Sequence, residues 1–205
     1  MVLFSLCGVY ALFFTLKDGH IHTNATQTVP WGLWVATYIY FIGLSAGSFI
    51  LSSLVYVFKL KQFEDAGHVA LTQALICMMC AGFFIIIDLG HPLRMSNILL
   101  SWNPTSVMAW MGLFYMMYLT VIILEMRFSM MAAFVKNNMG RSLSRETIER
   151  NHRILYILGI IGIPIALGVH GGVGTIFAVA KARPNWFGGL FPIVFIISAV
   201  ASGGS

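Results

Sequence analysis

The sequence predicts an all-α protein, a polytopic bundle of transmembrane helices, and its composition and its apolar runs lead to this class. Hydrophobic residues make up 59% of the 205 residues and charged residues only 9%, whereas soluble domains contain about 25% charged residues. Apolar runs of roughly 20 residues, long enough to cross about 30 Å of hydrocarbon, recur along the chain. The net charge of +5 fits basic loops between spans better than a nucleic-acid partner.

Six apolar segments are predicted to cross or enter the membrane, within one integral-membrane domain of residues 1–205. They are Met1–Leu16, Trp31–Phe58, about His68–Leu89, about Ser106–Met126, about Ile154–Ala180 and a segment from Phe187 onward. The last segment is still apolar where the sequence stops. We therefore expect a longer protein, of which this chain is the first part.

The second span has the clearest helix start. Pro30 at the first helical position loses no hydrogen bond, and Thr28 before it is a candidate cap. The tryptophans Trp31 and Trp34 suit the membrane–water boundary. Further along, Gly43-x-x-x-Gly47 strips one helix face of bulk, which lets a neighbouring helix or the tail of a ligand come close.

Two further sequence features, a pair of cysteines in the third span and the long connection after the fourth span, are explained by packing and by solvation. Cys77-Met-Met-Cys80 lies in the middle of a span without partners at metal spacing, so packing explains it better than redox chemistry. The longest connection, Phe128–Arg153, is predicted to hold a short solvated helix capped by Ser144, which leads into the fifth span.

Orientation follows from the distribution of lysine and arginine over the loops. Eight of the 12 basic residues lie after the second and fourth spans, and four lie after the first, third and fifth spans. The positive-inside rule places the more basic loops in the cytoplasm. The N-terminus is then also cytoplasmic, and the chain belongs to the inner (cytoplasmic) membrane.

Three ionisable residues lie in or beside apolar segments: Asp88, Glu125 and His170. A charge inside hydrocarbon costs at least roughly 2.5–3.5 kcal/mol, so such residues usually face a cavity or a partner. Asp88 is either paired with Arg94 or handles protons, and Glu125 is either interfacial or a point of proton entry. His170, in a stretch rich in glycine, is either a packed histidine or part of a site.

Metal and haem sites are not supported by the histidine spacing. A b-type haem needs two histidines that face each other inside the bundle, and only His170 is deep. His20-x-His22 lacks cysteine or carboxylate partners at the spacing of a zinc site. We expect no metal in this chain.

The outer loops and their flanking helices resemble a known family. Thr28-Val-Pro-Trp-Gly-Leu-Trp34 and the helix after it are similar to the opening core helix of the NrfD/PsrC-type (polysulfide reductase) membrane subunits. Asp88-Leu-Gly-His-Pro-Leu-Arg94 resembles their next outer loop. Pro164–His170 and Ala182-Arg-Pro-Asn-Trp186 resemble the ten-span branch, nearest to DsrP-like subunits of sulfite-reduction complexes.

The resemblance implies a protein of eight to ten spans that binds a quinone such as menaquinone near the outer face, without haem or iron–sulfur cluster of its own. It implies electron exchange with a ferredoxin-like iron–sulfur subunit on that face, alongside further membrane and cytochrome subunits, in anaerobic respiration of sulfur compounds. No complete site for the terminal reaction is expected in this chain. The quinone-binding residues carried over are His22, Asn24, Trp34, Asp88, His91, Arg94 and His170.

Within that set, Asp88 and His170 are the expected catalytic residues. Glu125, which is not in the set, is assigned to a proton pathway. His22, Asn24, Asp88 and His170 are expected to converge on one quinone head. Two alternatives stay open: a proton or ion translocator that uses Glu125 and His170, and a passive membrane anchor for redox subunits.

Overall fold

The computed structural model describes residues 2–22, 26, 31–89, 91–139, 144–181 and 183–203. Within these ranges the chain is helical, with short 3₁₀ turns between some helices, which confirms the all-α prediction. The α-helices are α1 (Val2–Asp18), α2 (Leu33–Val57), α3 (Glu64–Asp88), α4 (Asn97–Leu100), α5 (Val107–Met139), α6 (Arg145–Ala178) and α7 (Phe191–Gly203).

Four of the described helices, α2, α3, α5 and α6, are long and apolar enough to cross a membrane. They correspond to the second to fifth predicted spans. The first and sixth predicted spans form shorter apolar helices, α1 with 17 residues and α7 with 13 residues. At 1.5 Å per residue α7 is about 20 Å long, less than the thickness of the hydrocarbon core.

Helix α2 occupies the centre of the bundle. It packs against α3, α6 and α7, while α5 packs against α6 and α3. Its most apolar stretch is 56% buried, compared with 22% for that of α5. Lipid offers apolar side chains as good an environment as a neighbouring helix, so close packing holds such a bundle together. The buried core includes Ile42, Phe49, Leu71, Met78, Tyr118, Ile122 and Val169.

The two ends of the bundle differ in chemistry. One end of the bundle is formed by the start of α2 with the two residues before it, the connection between α3 and α5, the start of α5 and the α6–α7 connection. These segments hold all five tryptophans of the sequence. We call this the tryptophan end. The opposite end, with residues 58–64 and 144–153, is rich in charged residues and is called the charged end.

Helix α2 starts later than the sequence suggests. It begins at Leu33, with Gly32 at the cap position and no side-chain cap, so the start at Trp31 was wrong. The indole of Trp31 instead stacks on that of Trp186, with ring centroids 5.1 Å apart and planes within 5°. The chain before the helix is therefore held against the α6–α7 connection. Thr28 and Pro30 lie outside the described residues.

The short surface helix predicted before the fifth span is not a separate element. Ser144 does cap a helix, because its Oγ accepts a hydrogen bond from the N–H of Thr147 at 3.3 Å. That helix is α6, which continues for 34 residues to Ala178. No glycine or proline stands between Ser144 and Gly159, so nothing in the sequence ends the helix before it enters the bundle.

The small-residue faces are used for helix packing. A Cβ atom on Gly47 would meet the backbone of α7, 2.6 Å from the Cα of Gly203. Gly168 and Gly172 face side chains of α5, with Gly172 lying against the sulfur of Met111. The face at Gly47 that the sequence offered to a helix or to a ligand tail is therefore occupied by α7, and the face at Gly168 and Gly172 is occupied by α5.

Candidate functional site

Asp88 lies where α2 and α3 cross at the tryptophan end. It is the last residue of α3, it is half-buried, and its carboxyl group acts electrostatically on the hydroxyl group of Tyr38. Trp34, Tyr38 and Phe41 have the spacing of one helix face. Phe84 stacks on Trp34 and on Phe41, with centroids 5.8 Å apart in both pairs. We call these five residues the Asp88 cluster, which combines a carboxyl group and a hydroxyl group with stacked rings.

His170 lies in a second crossing, formed by α2, α6 and α7. Only 3% of its surface is exposed, and a Cβ atom on Gly43 would lie 3.2 Å from its Cε1 atom. The imidazole packs on Phe195 at a centroid distance of 5.6 Å and interacts with the backbone of that residue. Its Nδ1 atom has no hydrogen-bond partner within the described part of the chain. A buried ring nitrogen without a partner is unusual.

A series of aromatic rings connects His170 to the surface of the tryptophan end. Phe195 packs on Phe177 at 5.5 Å, and Phe177 packs on Trp31 at 4.6 Å. Trp31 stacks on Trp186, over which the guanidinium group of Arg183 lies at 5.9 Å. The series fixes the α6–α7 connection against the start of α2.

Asp88 and His170 approach α2 from different sides. Asp88 acts on Tyr38 and His170 contacts Gly43. At 3.6 residues per turn these two positions of α2 project roughly 140° apart. The helix itself therefore lies between the Asp88 cluster and the His170 crossing.

The other residues predicted to bind quinone are placed only in part. His22 ends a 3₁₀ turn, Gly19–His22, but its side chain and the whole of Asn24 lie outside what the structure describes. Trp34 belongs to the Asp88 cluster. His91 and Arg94 are exposed at the turn that follows α3. Convergence of these residues on one quinone head remains a prediction.

Glu125 is enclosed by the helices of the bundle. Its side chain is 0% exposed, and α5 continues beyond it to Met139. The hydroxyl group of Ser53 donates to Oε1 over 3.5 Å. Oε2 has no hydrogen-bond partner among the described residues.

Two further polar groups were missed by the sequence analysis. Towards the charged end, the hydroxyl groups of Tyr56 and Ser129 share a hydrogen bond of 2.6 Å. Ser129 Oγ also lies 2.5 Å from Nδ1 of His68, which lies 3.3 Å from the Tyr56 hydroxyl group. The second group is a line of buried serines on α2, formed by Ser45, Ser48, Ser52 and Ser53.

The serine line has a sequence signal. Its spacing of three, four and one residues keeps the hydroxyl groups on one side of a helix. Four serines on one side of an apolar span indicate a polar seam. The Tyr56–Ser129–His68 contact had no such signal, because its members come from three helices whose packing the sequence does not specify.

A cavity of 610 Å³ opens at the charged end between α2 and α6. Its lining is mixed in charge, and none of the predicted quinone-binding residues belongs to it. The lining residues are Val55, Tyr56, Lys59, Leu60, Glu64, Arg145, Ile148, Glu149, His152, Arg153 and Tyr156.

Comparison with known proteins gives a consistent result. The family model described as "Polysulphide reductase, NrfD" matches residues 22–205. A selenate reductase subunit from Mesobacillus selenatarsenatis is 40% identical over 97% of this chain and 52% of its own length.

Two further relatives carry names that include a quinone. The Hdr-like menaquinol oxidoreductase integral membrane subunit of Archaeoglobus fulgidus is 30% identical over 96% of this chain and 45% of its own. The integral membrane subunit of menaquinone reductase from Nitratidesulfovibrio vulgaris is 23% identical over 96% and 48%. The chain thus spans about half the length of these curated relatives.

Proposed function

This chain belongs to the polysulphide reductase NrfD family, and on that premise we propose that it is a quinone-interacting membrane subunit of a respiratory redox complex. Relatives with quinone-containing names match nearly the whole chain. The observation that carries the proposal is the Asp88 cluster, in which an ionisable side chain ends a transmembrane helix beside stacked aromatic rings. Intramembrane ionisable residues of this kind mark functional sites more often than structural ones.

The Asp88 cluster fits the head of a quinone in chemical terms. When bound, a quinone supplies chemistry in which two electrons move together with two protons. The hydroxyl group of Tyr38 is a hydrogen-bond donor for a carbonyl oxygen, and the carboxyl group of Asp88 accepts or returns a proton. The ring of Trp34, which is only partly buried, offers an aromatic surface on which a planar head can stack.

His170 is the second candidate for contact with the quinone. Its unpartnered Nδ1 atom is available for a hydrogen bond, but the ring is enclosed by Gly43 and Phe195. We assign the head to the Asp88 cluster. His170 is then close to the site only through α2, so substitution there should affect the site less than substitution of Asp88.

The membrane orientation and the partners form part of the same proposal. The tryptophan end faces the outside of the cytoplasmic membrane, and the charged end faces the cytoplasm, in accordance with the positive-inside rule. An iron–sulfur subunit docks over the outer loops, where His91 and Arg94 are exposed, and the complex also includes further membrane and cytochrome subunits. Menaquinone is the quinone, as the relatives' names suggest.

The experiment is quinol oxidation by the assembled complex in its native membrane. We expect Asp88→Asn to lower turnover by roughly 100-fold, the usual contribution of a positioned acid or base, and Tyr38→Phe to lower it less. Tyr40→Phe is the matched control, because Tyr40 is 60% exposed. Unchanged turnover in Asp88→Asn, with complex assembly intact, would overturn the assignment.

A further inference from the structure

Glu125 is a buried acid that the proposed quinone site does not use. It is fully buried, it accepts one hydrogen bond from Ser53, and one of its oxygen atoms has no partner within the described part of the chain. A structural carboxyl group normally has a cation or several donors around it. Glu125 therefore has the surroundings of a group that exchanges a proton rather than one that holds helices together.

A connected set of polar side chains leads from Glu125 to the charged end. Ser129 follows Glu125 by four residues on the same face of α5, and Tyr56 follows Ser53 by three residues on α2. Ser129, Tyr56 and His68 are joined by hydrogen bonds. Tyr56 also lines the 610 Å³ cavity at the charged end. A residue of the cavity lining, Tyr56, thus lies one helical turn along α2 from Ser53, which bonds to Glu125.

The seam continues from Glu125 towards the middle of the bundle. The hydroxyl groups of Ser52 and Ser48 are fully buried and, among the described residues, have no hydrogen-bond partner. Buried polar groups without protein partners are usually satisfied by internal water. Beyond them, Ser45 bonds to the carbonyl oxygen of Ala74 at 2.7 Å and shares a hydrogen bond with Tyr118.

We propose that Glu125 is a proton-exchange site that is supplied from the charged-end cavity through Tyr56, Ser129 and His68. Hydroxyl groups and a neutral imidazole both donate and accept, so each passes on a proton by taking up another. The serine line of α2 gives the direction in which the proton leaves Glu125. The inference rests on the proposed function in one respect, because the quinone is the group to which the proton would finally go. The route from the cavity to Glu125 does not depend on it.

Titratable and charged groups surround this route on several elements. The hydroxyl groups of Tyr56 of α2 and Tyr118 of α5 interact electrostatically with Glu125, and Tyr118 also interacts with Cys77 of α3. Asn151 of α6 is buried and polar but does not titrate. The cavity adds charged and titratable side chains from three elements, namely Lys59, Glu64, Arg145, Glu149, His152 and Arg153.

The test measures hydrogen–deuterium exchange of the Glu125 carboxyl group by infrared difference spectroscopy, on the full-length protein in lipid. The wild type should show a protonated carboxyl band that shifts in deuterium oxide and is absent in Glu125→Gln. We expect Tyr56→Phe and Ser129→Ala to slow the exchange of this band by at least about tenfold, because each removes a relay hydroxyl group. Tyr115→Phe is the matched control, since its hydroxyl group bonds to the carbonyl oxygen of Met78 away from the route.

Absence of the band in the wild type, or an exchange rate that neither relay variant changes, would overturn the proposal. Equal slowing in Tyr115→Phe would also overturn it, because the effect would then be a general loss of packing. The measurement involves no quinone. A failure here is therefore distinct from a failure of the proposed function, which the turnover of Asp88→Asn reports.

Discussion

The crossing of α2 and α7 at Gly47 gives a stability prediction whose sign can be worked out from the structure. A methyl group on Gly47 would meet the carbonyl oxygen of Ala199 and the Cα of Gly203, both backbone atoms of α7. Backbone atoms cannot rotate aside, so α7 has to move. Overpacking costs about 1–3 kcal/mol, and a contact with backbone belongs at the upper end of that range.

Alanine also favours the helix over glycine by about 1 kcal/mol. The net loss expected for Gly47→Ala is therefore about 1–2 kcal/mol. Gly67→Ala in α3 is the matched control, because its added Cβ would lie 3.6 Å from side-chain atoms of Val55, an ordinary contact. That variant should be neutral or more stable than the wild type by up to about 1 kcal/mol.

The assay is unfolding of the purified protein in mixed micelles, followed by far-ultraviolet circular dichroism. Gly203→Ala tests the same crossing from the side of α7, because its Cβ would meet the backbone of Gly47 and Ser48. A Gly47→Ala protein as stable as Gly67→Ala would refute the close approach of α7 to α2. The enclosure of His170 by α7 would then be in doubt as well.

Three further variants test other parts of the bundle by the same unfolding assay. Tyr118→Phe removes a buried hydroxyl group that donates to the carbonyl oxygen of Ser45 at 2.9 Å. It should lower the free energy of unfolding by about 1–2 kcal/mol. An unchanged free energy of unfolding would mean that this hydrogen bond does not form. Trp186→Leu removes the ring stacked on Trp31. The free energy of unfolding should fall by about 0.5–1.5 kcal/mol, and the fluorescence of the remaining tryptophans should change. An unchanged fluorescence spectrum would contradict the stacking of the two rings. Ser144→Ala removes the cap of α6 and should cost about 0.5–2 kcal/mol, which Ser144→Asp, but not Ser144→Val, should restore.

Hydrophobic patterning was sufficient to predict the class and the four long helices, because each span is a local property of about 20 residues. The first and last residues of the helices were harder to predict from the sequence. The start of α2 depends on Trp31, whose indole stacks on a residue 155 positions later in the chain. The start of α6 at Arg145 depends on the lack of glycine and proline between Ser144 and Gly159, a local feature that the many charged residues of this stretch obscured.

The candidate site, too, could be predicted only in part from the sequence. Asp88, Glu125 and His170 stand out in the sequence because ionisable residues are costly in hydrocarbon. Their partners do not stand out, because interactions such as the electrostatic one of Asp88 with Tyr38 or the hydrogen bond of Ser53 to Glu125 arise only when helices pack. The position of α2 between Asp88 and His170 is likewise a property of packing.

The central claim, that the quinone head lies in the Asp88 cluster, is tested most directly by photo-crosslinking. A menaquinone analogue with a photoreactive group on its head is added to the full-length protein in lipid, and the labelled peptides are identified by mass spectrometry. Label on Trp34–Phe41 and Phe84–Asp88, lost in competition with unmodified menaquinone, is the expected result. Label confined to the charged-end cavity around Tyr56 and Tyr156 would contradict the account.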